Sequence, residues 1–104
     1  MKKILLLCSA GMSTSIIVKK MENVAAAENI EVKIDAVGLE RFHELLPQYD
    51  VFLLGPQVRF KKGELEPIAK EVGKPLAVID TMAYGTLNGK KILDFALALA
   101  EQKI

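Results

Sequence analysis

Four short apolar stretches alternate with helical patterns along the chain, and this alternation restricts the fold more than any other feature. Residues 3–7, 31–37, 51–54 and 76–79 have the length and composition of β-strands. The helical patterns cover residues 15–29, 39–46, 62–72 and 89–103. Strands that alternate with helices predict an α/β fold with a parallel sheet and right-handed crossovers.

The second of these strands differs from the others in its pattern. From Glu31 to Asp35 charged residues alternate with apolar ones, as in an edge strand with one solvent-exposed face. The first strand is apolar on both faces, as in a parallel sheet covered by helices on both sides. The sequence therefore predicts four parallel strands in the order 2-1-3-4, with helices on both faces. This is a flavodoxin-like or phosphatase-like three-layer sandwich.

Length and charge narrow the possible classes of protein. A chain of 104 residues suits one domain, and we expect a single domain over residues 1–104. The net charge of +1 and the scattered basic residues argue against a nucleic-acid partner. No apolar run reaches the roughly 18 residues of a membrane span. A single cysteine excludes an internal disulfide and fits a cytoplasmic location.

A polar loop joins the first strand to the first helix. It consists of Cys8, Ser9, Ala10, Gly11, Met12, Ser13, Thr14 and Ser15. A loop that ends at a helix N-terminus offers backbone N–H groups and the positive end of the helix dipole, which together favour phosphate. Gly11 permits a close approach of the backbone to a ligand, and the hydroxyls add donors. With Cys8 as nucleophile the loop predicts a cysteinyl-phosphate, although a cysteine at a strand end is often only a small buried residue.

Two further loops are predicted to meet the Cys8 loop. Ligands of open α/β sheets bind beyond the carboxyl ends of the strands, where the strand order reverses, here between the first and third strands. The segment Gly55-Pro56-Gln57 follows the third strand, and the loop of residues 80–86 follows the fourth. We therefore expect one crevice formed by three loops.

Several kinds of phosphate site conflict with the residues of this loop. A Walker nucleotide loop requires a lysine that the segment lacks. A receiver domain requires acidic residues where this chain has Cys8 and Gly55. A flavin phosphate would fit the hydroxyl-rich loop, but the chain has no tryptophan and only two tyrosines to stack on the ring.

A phosphatase is the nearest alternative. Low-molecular-weight tyrosine phosphatases use a Cys-x5-Arg loop, and Thr14 occupies the position of that arginine. Without a guanidinium to clamp the phosphoryl oxygens, the loop favours a phosphoryl carrier over a hydrolase. A Cys-dependent phosphatase or an arsenate-reductase-like enzyme stays open as the alternative, although the absence of a second cysteine argues against a dithiol cycle.

The whole chain resembles the enzyme IIB component of bacterial sugar phosphotransferase systems, in the lactose/cellobiose/chitobiose class. The resemblance rests mainly on the strand and Cys-Ser-Ala-Gly-Met-Ser-Thr-Ser at residues 8–15, with Leu-Gly-Pro-Gln at 54–57. It implies that Cys8 accepts a phosphoryl group from a phosphohistidine of enzyme IIA and passes it to a disaccharide on the membrane enzyme IIC. The residues from Ser9 to Ser15 would surround the phosphoryl group, with Gln57 and Tyr84 nearby. No metal or cofactor is expected.

Other polar residues receive simpler interpretations. His43 lies in the middle of a helical pattern and is predicted to be an ordinary surface residue. Asp80 is predicted to bond its own backbone in a turn, and Asn88 to cap the last helix. Residues 59–62 are basic and aromatic, and fit a solvated helix start better than a docking patch.

Overall fold

The computed structural model describes residues 2–8 and 12–101, with the backbone alone for residues 12–14. Four parallel strands form one sheet, in the order β2-β1-β3-β4. The strands are β1 (Lys2–Cys8), β2 (Val32–Gly38), β3 (Val51–Leu54) and β4 (Leu76–Val78). This is the predicted order, and the alternating strand β2 lies at an edge as expected.

Within the described residues, five helices connect and flank the strands. They are α1 (Met12–Ala27), α2 (Phe42–Leu45), α3 (Lys62–Glu71), α4 (Thr81–Gly85) and α5 (Gly89–Ala100). Short 3₁₀ turns adjoin α2 on both sides, and a longer 3₁₀ segment, Pro56–Lys61, leads from β3 into α3. Pro67 lies inside α3 without ending it. The carbonyl that Pro67 leaves without a donor belongs to Gly63, which is exposed to solvent.

The two faces of the sheet bury separate apolar clusters, so the predicted helices on both faces are confirmed. On β1 the even-numbered residues Ile4 and Leu6 pack with α1 and α5. The odd-numbered residues Leu5 and Leu7 pack with α2 and α3. All four side chains are fully buried, because β1 has a strand on each side and helices above and below.

Helix α1 begins earlier than its sequence pattern indicated. The prediction placed its start at Ser15, whereas the helix starts at Met12. Residues 12–15 therefore belong to the first turn of α1 rather than to a loop. At the other end Asn29 adopts a left-handed backbone (φ 57°), and Ile30 N–H donates to Ala25 C=O at 2.8 Å. This left-handed closure ends the helix at Ala27, before the predicted Asn29.

Helix α4 was missing from the sequence prediction, which treated residues 80–86 as a loop. The Asp80 carboxylate accepts a hydrogen bond from Ala83 N–H at 2.9 Å and starts the helix. Asn88 caps α5 in the same way, through Lys91 N–H at 3.0 Å, as predicted. Helix α5 ends at Ala100, and its predicted end at residue 103 lies outside the described residues.

Candidate functional site

Cys8 is the last residue of β1 and lies level with the ends of the neighbouring strands. Gly55 N–H donates to Leu7 C=O at 2.9 Å, and Ile79 N–H donates to Leu54 C=O at 2.9 Å. The carboxyl ends of β1, β3 and β4 therefore lie side by side, and the segments after β3 and β4 leave the sheet there. The Cys8 side chain is fully buried at this edge.

Cys8 has a glycine opposite it on each side. Gly38 is its register partner in β2, and Gly55 takes the corresponding position after β3 because the ladder continues one step past Leu54. Both glycines have extended backbones, with φ values of −73° and −61°. Other residues adopt these angles, so the backbone conformation does not require glycine at either position.

Polar side chains fold back over both glycines. A Cβ atom built on Gly38 would lie 2.5 Å from Glu40 Oε1, and one built on Gly55 would lie 2.6 Å from Gln57 Oε1. Register partners on adjacent parallel strands point to the same face of the sheet. A carboxylate and a carboxamide therefore lie on opposite flanks of the Cys8 position.

Gln57 was expected near Cys8 from the sequence, whereas Glu40 was not. Each residue follows a strand-terminal glycine by two positions, and this shared spacing is the signal that identifies Glu40 once Gly38 is known to pair with Cys8. Without the register, Glu40 is an ordinary charged residue of the short helical segment after β2.

Gln57 and Tyr84, both expected near Cys8, contact each other. The Gln57 amide donates a hydrogen bond to the Tyr84 hydroxyl at 3.1 Å. Tyr84 lies on α4, whose first turn is held by the Asp80 side chain. The hydrogen bond thus connects the segment after β3 with the helix after β4.

The predicted phosphate-binding segment is described in part. Ser9, Ala10 and Gly11 lie outside the described residues, and Met12, Ser13 and Thr14 form the first turn of α1 with Ser15. The first turn of α1 contains no acidic residue. The first backbone N–H groups of a helix lack an acceptor four residues earlier within the helix, and the helix dipole favours an anion beside them.

The remaining polar residues lie away from this arrangement or serve local structure. His43 is exposed, and its ring makes an edge contact with Phe42 at a centroid distance of 5.4 Å. Arg59 donates to Pro56 C=O at 3.1 Å. Asp80 caps α4, as the sequence predicted for a residue that bonds its own turn. Among the described residues, no group of histidine, cysteine, aspartate and glutamate side chains has the arrangement of a metal site.

Most of the chain matches one protein family. The model of the family described as the lactose/cellobiose-specific IIB subunit of the phosphotransferase system matches residues 3–95. The chain belongs to this IIB family. The resemblance found in the sequence is thereby confirmed, and the flavodoxin-like sheet is the one that its IIB relatives share.

Three relatives show how the IIB sequence varies. The oligo-β-mannoside-specific EIIB component of Bacillus subtilis is 46% identical over 99 residues, covering 95% of this chain and 96% of that protein. The solution structure of a cellobiose-specific IIB component from Borrelia burgdorferi is 42% identical with a TM-score of 0.82, covering 99% of this chain and 96% of that one. The lactose-specific EIICB component of Lactococcus lactis is 27% identical over 81 residues, which are 78% of this chain and 14% of that protein.

Among the described residues of this IIB chain, none of the helices combines the length and apolarity needed to cross a membrane.

Proposed function

We propose that this IIB chain carries a phosphoryl group on Cys8, taken from a phosphohistidine of enzyme IIA and passed to a sugar held by enzyme IIC. The observation that carries the proposal is the position of the only cysteine. It ends a central strand of the sheet, just before the N-terminal turn of α1, in a chain of the IIB family. That is where open α/β sheets bind anionic ligands.

The two transfers balance in atoms and charge. The Cys8 thiol loses its proton and the thiolate attacks the phosphorus of phosphohistidine. The S–P bond forms, the N–P bond breaks, and the imidazole nitrogen takes up a proton in place of the phosphoryl group. In the second step a sugar hydroxyl oxygen attacks the phosphorus and the S–P bond breaks. The hydroxyl proton is released, and the thiol returns to its starting state.

The residues around Cys8 are suited to hold the phosphoryl group between these steps. The first turn of α1 supplies backbone N–H groups and the positive end of a 16-residue helix. The segment Ser9, Ala10, Gly11, Met12, Ser13, Thr14 and Ser15 would surround the phosphoryl oxygens with amides and hydroxyls. Gln57 and Tyr84, joined by their hydrogen bond, would complete the site from the β3 and β4 side.

The proposed partners follow from the system to which the family belongs. The EIICB relative carries the IIB sequence within a longer lactose-specific component, which supports a sugar acceptor bound by enzyme IIC. We propose a disaccharide of the cellobiose, chitobiose or lactose type, with this chain acting in the cytoplasm beside the membrane component.

The same site is poorly equipped for hydrolysis. Thr14 stands where a phosphatase has the arginine that clamps the phosphoryl oxygens. Transfer differs because the partner brings its own acceptor into place when it docks.

Intact-protein mass spectrometry tests the first transfer. Incubation with phosphoenolpyruvate, the general phosphotransferase proteins and enzyme IIA should add one phosphoryl group, about 80 Da, to the wild type. Cys8→Ser should abolish the adduct, and His43→Ala, a change at an exposed site, should retain it. An adduct that persists in Cys8→Ser would contradict the proposal.

Discharge of the phosphorylated protein tests the second transfer and the phosphatase alternative. Membranes with enzyme IIC should remove the phosphoryl group quickly when a suitable disaccharide is added, with formation of a sugar phosphate. The isolated protein should lose it slowly. Sustained hydrolysis of para-nitrophenyl phosphate that depends on Cys8 would favour the phosphatase instead.

A further inference from the structure

We propose that the Glu40 carboxylate tunes the charge of the Cys8 site and makes a phosphoryl group bound there easier to transfer. The inference rests on the proposed phosphoryl carriage by Cys8 and adds to it a residue that the family resemblance did not supply. Three observations carry it: the strand register, the fold-back of Glu40 over Gly38, and the ion pairing of the neighbouring arginine.

The register bounds the separation between the carboxylate and Cys8. Gly38 pairs directly with Cys8, and adjacent strands lie about 4.8 Å apart. Glu40 Oε1 lies 2.5 Å from a Cβ atom built on Gly38. The carboxylate oxygen is therefore within about 7 Å of Cys8 Cβ, on the same face of the sheet. This distance is shorter than the Debye length at physiological salt, about 8 Å, so dissolved ions screen the two charges only in part.

The neighbouring cation, Arg41, is bound to Glu44 and not to this carboxylate. Arg41, its immediate neighbour, is bound to Glu44 by two hydrogen bonds of 2.9 and 3.4 Å. The Glu44 pairing is the largest cause of the raised pKa of Arg41 and lowers the pKa of Glu44, whereas Glu40 raises the pKa of Arg41 only as its last cause. No ion pair in the described part of the chain includes Glu40.

An unpaired negative charge has opposite effects on loading and on discharge. It repels a phosphoryl dianion on Cys8 and so raises the free energy of the phosphorylated state relative to the empty thiol. On the other flank the Gln57 amide is uncharged and adds no such repulsion. Repulsion between Glu40 and one negative charge at this distance changes the equilibrium constant for phosphorylation by about three-fold. For a phosphoryl dianion the change is up to about ten-fold.

Alkylation of Cys8 measures the repulsion without any partner protein. Iodoacetamide and iodoacetate have nearly the same shape but differ by one negative charge, so the ratio of their rates cancels the accessibility of the thiol. In wild type the carboxylate should slow the alkylation by iodoacetate. The rate of alkylation by iodoacetamide divided by that by iodoacetate should therefore fall about three-fold in Glu40→Gln. The matched control is Glu31→Gln, an exposed carboxylate just before β2 at the opposite end of the same strand, and it should keep the wild-type ratio.

The salt dependence of this rate ratio is a second measurement, and a variant that had merely lost structure would not show the same dependence. The difference between wild type and Glu40→Gln should disappear as salt rises from about 10 mM to about 1 M, where the Debye length shrinks from about 30 Å to about 3 Å. An unchanged ratio in Glu40→Gln at low salt, or a difference that survives high salt, would overturn the inference.

Phosphorylation then distinguishes this inference from the proposed function. With enzyme IIA as donor, the phosphorylated fraction of Glu40→Gln at equilibrium should exceed that of wild type and of Glu31→Gln, by up to about ten-fold in equilibrium constant. If Cys8 is not phosphorylated in any variant, the proposed function fails, whereas the alkylation ratio still decides the charge effect. If all variants load equally, the tuning role of Glu40 is wrong and the carrier function stands.

Discussion

The Gln57 amide donates to the Tyr84 hydroxyl at 3.1 Å and so joins the segment after β3 to helix α4. Gln57 also folds over Gly55, the residue that lies opposite Cys8. The pair therefore forms one wall beside the end of β1, built from two segments that are 27 residues apart in the sequence. A wall of this kind fixes the position of the carboxamide relative to Cys8.

Replacing Gly55 with alanine should displace this wall while the fold is kept. The new methyl group would lie 2.6 Å from Gln57 Oε1, so the flexible amide must turn away, whereas the backbone φ of −61° accepts alanine. We expect phosphoryl loading of Cys8 to slow by roughly five-fold, the worth of about one hydrogen bond. Rapid-quench kinetics with enzyme IIA would measure this rate.

Tyr84→Phe provides the matched test, because it removes the same hydrogen bond from the other side. If both changes act through the Gln57–Tyr84 contact, the double variant should load no more slowly than Gly55→Ala alone. Additive effects of the two substitutions would show that the contact does not position Gln57.

The strand order was predictable because it depends on burial patterns that are local in the sequence. Strand β1 is apolar on both faces and must be central, and β2 alternates and must lie at an edge. Helix α4 was not predictable from periodicity, because it has only five residues and depends on one side-chain cap from Asp80. Short helices of this kind carry no amphipathic signal.

The site was predictable only where one residue type carries the chemistry. Cys8 could be proposed as the phosphoryl-accepting residue because it is the only cysteine and precedes a glycine and several hydroxyls. Glu40 could not, because its nearness to Cys8 depends on the pairing of Gly38 across two strands. The roles of the residues from Ser9 to Ser15 stay predictions, and Ser9, Ala10 and Gly11 lie outside the described residues.

The close approach of α5 to α1 predicts a strong effect at Gly89. A Cβ atom there would lie 2.7 Å from the Lys20 backbone carbonyl carbon and 2.9 Å from its oxygen. Backbone atoms inside a helix cannot move aside as a side chain can, so Gly89→Ala should destabilise the protein by about 1–3 kcal/mol. Urea unfolding followed by circular dichroism would measure this change.

Gly63→Ala is the control for Gly89→Ala. Gly63 lies in α3, is exposed, and has no atom within 4 Å of a built Cβ. Alanine there should stabilise the protein by roughly 0.5–1 kcal/mol through helix propensity. Equal effects of the two substitutions would contradict the packing described between α1 and α5.

The Asp80 cap should contribute to the stability of α4 through its oxygen rather than its charge. Asp80→Ala removes the acceptor for Ala83 N–H and should cost about 1 kcal/mol. Asp80→Asn keeps an acceptor oxygen for Ala83 N–H, so its free energy of unfolding should stay close to that of wild type. The contact of Asp80 with Lys91, at 3.9 Å between exposed side chains, contributes little. A cost for asparagine equal to that for alanine would assign the effect to the charge instead.

Tyr49 should make stability fall at alkaline pH. Its hydroxyl donates to Asp35 Oδ2 at 2.7 Å, and burial together with this hydrogen bond raises the pKa of Tyr49 from 10.0 to about 12. A raised pKa means that the folded state holds the proton more tightly than the unfolded state. The stabilisation is therefore complete below pH 10 and is lost as pH rises towards 12, with a slope of about 1.4 kcal/mol per pH unit.

Tyr49→Phe isolates this contribution, because phenylalanine has no proton to lose. The free energy of unfolding, measured in urea over the range from about pH 8 to about pH 12, should favour wild type at the lower end by about 1 kcal/mol for the lost hydrogen bond. That advantage should shrink and then reverse between pH 10 and pH 12, since only wild type loses stability by ionising this group. Tyr84→Phe retains Tyr49 and should show the wild-type decline. A difference between wild type and Tyr49→Phe that stays constant across the alkaline range would contradict the raised pKa.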